Sequence, residues 1–104
     1  DPLAMRTVVC AYSAVGHACL TELLELGADV RLVVTHSDAP GEEIWFDSVA
    51  ELARSAGVPV IVPRNINVVQ VVEAIRDVEP ELLFSFYFSW SLLVRRNRIP
   101  LKHL

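Results

Sequence analysis

Glycine is scarce in this chain, with four residues in 104. Gly16 stands alone in the stretch AYSAVGH, so no G-x-G-x-x-G turn lets the backbone approach a pyrophosphate. Thr35 and His36, not an acid, follow the second apolar run, which counts further against NAD or FAD. A phosphate loop of the type G-x-x-x-x-G-K-S/T is also absent. Cysteine is limited to Cys10 and Cys19, one expected in a buried strand and the other in a helix. That placement disfavours a disulfide and fits a reducing compartment. Together with His17 and His36 they match no zinc spacing. Neither cysteine has an evident activating base for a nucleophilic pair. Long apolar runs are missing as well. The most apolar stretch, Leu82 to Val94, has 13 residues interrupted by Ser85, Ser89 and Ser91. A membrane helix needs roughly 20, so no membrane role is expected.

Acid is absent after Glu81. Residues 1–81 hold all 13 acids and five of the nine bases, a balance of -8, and residues 82–104 hold four bases and no acid, a balance of +4. The net charge of -4 argues against a nucleic-acid partner. The basic end reads either as a solvated helix face or as an attractor of phosphate or carboxylate. The start lacks the basic-then-apolar order of a secretory signal, which leaves a cytoplasmic location as the expectation. Asp1 to Ala4, ahead of Met5, read as a cloning remnant, and Met5 to Leu104 as a single domain.

What is present in quantity is apolar sequence, 53% of the chain with a mean hydropathy of +0.41. Strands buried on both faces of a parallel sheet account for such richness. Arg6 to Tyr12, Asp29 to Thr35, Val58 to Val62 and Leu82 to Tyr87 read as strands. Between them, Gly16 to Leu26 reads as a helix closed by Gly27. Ser48 with Glu51 caps a helix stopped at Gly57, and Asn67 with Gln70 has the same spacing before VVQVVEAIRDV. His36 to Trp45 reads as a loop around Pro40-Gly41, and Leu92 to Arg98 as a last helix limited by Pro100. Pro59 suits an edge strand. The order β-α-β-α-β-α-β-α predicts a Rossmann-like α/β fold. About four parallel strands lie in the order 3-2-1-4 with helices on both faces.

Ligands of such sheets bind beyond the carboxyl ends of the strands where the chain switches direction. Here that is the loop after strand 1, Ala11 to Gly16, and the loop after strand 4. Phe84 to Phe86 are expected in the core. Tyr87, Phe88 and Trp90 fall at or past the strand end, where aromatic rings either face a flat ligand or fill space under a helix. His17 and His36 read as loop or cap residues, and Ser13, Ser37 and Ser48 as turn and cap residues. From these residues alone no catalytic set emerges.

Three stretches nevertheless resemble the folate-dependent formyltransferases: TVVCAYSAVGHACLTELLELG, THSDAPGEEIWFDSVAELARSAGVPVIVPRNIN and ELLFSFYFSWSL. Together they cover nearly all of Met5 to Leu93. The likeness is nearest the branch that formylates UDP-4-amino-4-deoxy-L-arabinose. It is weaker to the methionyl-tRNA branch, whose strand 1 loop is of G-T-P type where this chain has Ala11, Tyr12 and Ser13. The resemblance implies transfer of a formyl group from N10-formyltetrahydrofolate to an amine. It implies the pterin against Phe86, Tyr87, Phe88, Ser89 and Trp90, and the sugar-nucleotide near Tyr12, Ser13 and Gly16. The family's Asn-x-His and later Asp, which polarise the formyl oxygen and manage protons, have no counterpart here. Asn65, Asn67 and Asn97 are followed two positions on by Asn67, Val69 and Ile99. The expectation is therefore the N-terminal portion of such an enzyme, inactive alone and prone to self-association through an open edge at strand 1 or 4. A non-catalytic binding module and a methionyl-tRNA formyltransferase fragment are the alternatives.

Overall fold

The computed structural model describes residues 2–35, 48–62 and 68–86. Their elements are β1 (Thr7–Ala11), α1 (Ser13–Glu25), β2 (Val30–Val34), α2 (Val49–Ser55), β3 (Val60–Ile61), α3 (Val68–Val78) and β4 (Leu82–Phe86). The four strands form one parallel sheet in the order β3-β2-β1-β4. The fold is thus the Rossmann-like α/β arrangement expected from the alternation of elements. The loop expected from His36 to Trp45, the Asn67 cap and the helix expected at 92–98 lie outside the described residues.

Burial explains why β1 and β2 are nearly continuous runs of small branched side chains. All five residues of β1 are buried. Val8 and Cys10 point to one side, where they meet Leu32, Val34 and Val71 of α3. Val9 and Ala11 point to the other, where they meet Leu20 of α1, Val33, and Val49 and Ala53 of α2. A strand covered on both faces favours apolar side chains at successive positions, so alternation largely disappears, with the buried Thr7 and the exposed Arg31 as exceptions.

The helix ends follow from local chemistry. Ser48 Oγ accepts hydrogen bonds from the Ala50 and Glu51 amides at 3.1 and 3.4 Å, the N-cap expected for α2. Gly27 and Gly57 close α1 and α2 at φ +81° and +73°. In each case the glycine and the next residue return their amides to the last helical turn: Gly27 to Leu24, Ala28 to Leu23, Gly57 to Arg54, Val58 to Ala53. After α3 the left-handed position falls on Glu79, at φ +52°. There the Glu79 carbonyl accepts from Arg6 Nε at 2.9 Å, and Arg6 also pairs with Glu81 at 3.0 Å. This latch ties the start of β1 to the start of β4. Pro2–Ala4 form a 3-10 turn, and the Leu3 carbonyl accepts from the Asp29 amide. The segment read as a remnant therefore docks on the fold.

Two boundaries and the burial of one strand differ from expectation. Helix α1 starts at Ser13, three residues early, because the extended Tyr12 serves as its N-cap and the Gly16 amide bonds the Tyr12 carbonyl at 3.0 Å. Strand β3 shrinks to two half-buried residues, as Pro59 has no amide to donate. β4 is not buried on both faces. Phe84 and Phe86 are half-buried and stack on each other at 5.6 Å, whereas Leu83 and Ser85 are exposed. The reason is position: β4 is the last strand of the described sheet. The Leu82 amide and the Phe86 carbonyl both bond toward β1, so the backbone groups of Leu83 and Ser85 point outward. β1 is interior. The open edges among the described residues are those of β3 and β4, so of strands 1 and 4 it is strand 4 that lies at an edge.

Candidate functional site

The site is built by the reversal of chain direction at β1. From β1 the chain proceeds to β2 on one side, and after α3 it returns as β4 on the other. The carboxyl ends of β1 and β4 therefore lie side by side, with Ala11 in register with Phe86. The Tyr12 amide donates to the Phe86 carbonyl at 3.0 Å. Residues 74 positions apart in sequence are thus joined by one hydrogen bond at the place where α/β sheets bind ligands.

Tyr12 has extended backbone angles, φ -149° and ψ 161°, and its side chain makes no capping bond to α1. The first turn of α1 contains no acid. An uncapped, 13-residue helix directs its partial positive charge at the mouth of the switch point, which suits an anionic or strongly polar group. Ser13, the first helical residue, has φ +67°. Its Oγ is buried without a hydrogen-bond partner. A left-handed serine and an orphaned hydroxyl each cost free energy, and both fall on the same residue at the ligand-binding end of the sheet.

Gly16 explains how α1 comes so close. A Cβ at this position would stand 3.1 Å from the Ala11 Cβ and 3.2 Å from the Ala11 carbonyl carbon. A side chain here fits only if Ala11 or α1 gives by a few tenths of an ångström. Gly16 is therefore a positioning residue through its lack of a side chain.

Of the expected pterin-facing residues, only Phe86 lies within the described residues. Tyr87, Phe88, Ser89 and Trp90 lie outside them. The Phe86 ring packs against the cluster of Val9, Ala11, Leu20 and Val33, on the α1 side of the sheet. It stacks on Phe84 because F-S-F puts both rings on one face of a strand. Phe86 is thus partly committed to the core while its carbonyl helps define the site.

His17 is within α1, one turn beyond Ser13, rather than at its cap, because the helix begins three residues early. Its carbonyl accepts from Thr21 Oγ1 at 2.8 Å. Cys10 faces α3, on the opposite side of the sheet from the helix that bears His17 and Cys19. Burial pushes the Cys10 thiol up to about 12, so it stays protonated and unreactive. Both cysteines are free. Among the described residues no group of three potential ligands is placed to hold a metal ion, and no helix is long and apolar enough to cross a membrane. His36 and His103 lie outside the described residues.

The strain at Ser13 had no signal in the sequence. Glycine or asparagine marks left-handed positions, and serine does not.

The fold and the site thus define a Rossmann-like α/β domain with a polar, strained turn at its switch point. Compared with known protein families, the chain matches no family model.

Proposed function

We propose that this chain is the N-terminal portion of a folate-dependent formyltransferase acting on a UDP-amino sugar. The proposed relative is the UDP-4-amino-4-deoxy-L-arabinose formyltransferase domain of the bifunctional polymyxin-resistance enzyme, whose chemistry serves lipid A modification in the cytoplasm. The observation that carries this reading is the hydrogen bond from Tyr12 to Phe86. It joins the two stretches to which the resemblance assigns the acceptor and the folate. Tyr12, Ser13 and Gly16 would hold the sugar-nucleotide, with the amides at the start of α1 and the Ser13 hydroxyl offered to its polar groups. An orphaned buried hydroxyl is a fitting partner for such a ligand. Phe86, with Tyr87 to Trp90, would line the folate side. The fit there rests on fewer atoms, because the Phe86 ring already packs on the core.

When bound, N10-formyltetrahydrofolate would supply an activated formyl group for transfer to the acceptor amine. The role left to this chain is binding and orientation. The sequence contains no Asn-x-His to polarise the formyl oxygen, so the chain alone is expected to be inactive.

Two measurements test the proposal. The first is the parent gene read for about fifty codons past Leu104. An in-frame Asn-x-His followed by an Asp supports the reading, and an immediate stop codon overturns the enzyme assignment. The second is titration of the chain with 5-formyltetrahydrofolate and with UDP, followed by tryptophan fluorescence and calorimetry. Weak saturable binding of UDP that Ser13→Ala diminishes supports the acceptor assignment. UDP binding that is insensitive to Ser13→Ala and Gly16→Ala overturns it.

A further inference from the structure

We draw no further inference here: the strongest candidate, the outer edge of β4 with its exposed Leu83 and Ser85, carries nothing because none of the described residues shows what covers it.

Discussion

Ser13 combines two unfavourable features, and two substitutions tell them apart. Ser13→Gly relieves the left-handed backbone and removes the hydroxyl together, and is expected to raise stability by about 1–2 kcal/mol. Ser13→Ala removes only the hydroxyl and should gain about 1 kcal/mol or less. Urea midpoints of the two variants check this. A Ser13→Ala protein less stable than the parent would mean that the hydroxyl has a partner within the fold. At the same scale, Asp29 accepts a 2.7 Å hydrogen bond from Arg31 Nε, which holds its carboxyl below its ordinary 3.8. A depressed carboxyl contributes stability that is present above pH 3.8 and is lost as the pH falls through the lower folded value. Arg31→Gln should return the Asp29 titration, followed by carboxyl-carbon NMR, to the ordinary range. An unchanged midpoint in that variant would assign the shift to another group.

The elements meet at positions where one atom decides the fit. Gly16→Ala places a methyl 3.1 Å from the Ala11 Cβ and should cost about 1–3 kcal/mol. Full stability in this variant would show that α1 can retreat from β1 without loss. The end of α3 offers the opposite case. Glu79 occupies a left-handed position that α1 and α2 give to glycine, so Glu79→Gly should stabilise by about 1 kcal/mol. The carbonyl that Arg6 Nε bonds is retained in that variant. A thermal midpoint that falls instead would show that the Glu79 side chain contributes more than the strain costs. These element ends also mark how far the sequence could be read. Ser48, Gly27 and Gly57 announced their roles because a hydroxyl before a helix and a glycine after it are chemically suited to those places. Tyr12 did not, since an aromatic N-cap makes no side-chain capping bond to give it away. The start of α1 was therefore set three residues late, and His17 was read at the helix end although it lies a turn inside.

At the scale of the whole molecule, the sheet divides the core into two clusters, one under α3 and one under α1 and α2. Leu20→Ala in one cluster should cost about 2–5 kcal/mol and Val71→Ala in the other about 2 kcal/mol. The two share no contact cluster, so the double variant should lose the sum within about 0.5 kcal/mol while keeping one cooperative transition. Two separate transitions would mean that the faces fold independently. The sequence by itself determined the alternation of strands and helices, and with it the parallel sheet. Runs as apolar as VVCA and LVV lack polar alternation only when both faces are covered. It also placed the ligand end of the sheet, because right-handed crossovers leave one arrangement for the switch point. Tertiary structure alone decided two further points: that β4 leaves Leu83 and Ser85 exposed and its rings only half-buried, and that Ser13 takes a strained turn with a hydroxyl unpaired among the described residues. Each depends on what stands next to the residue across the sheet, and neighbours brought together from 74 positions apart leave no local pattern in the chain.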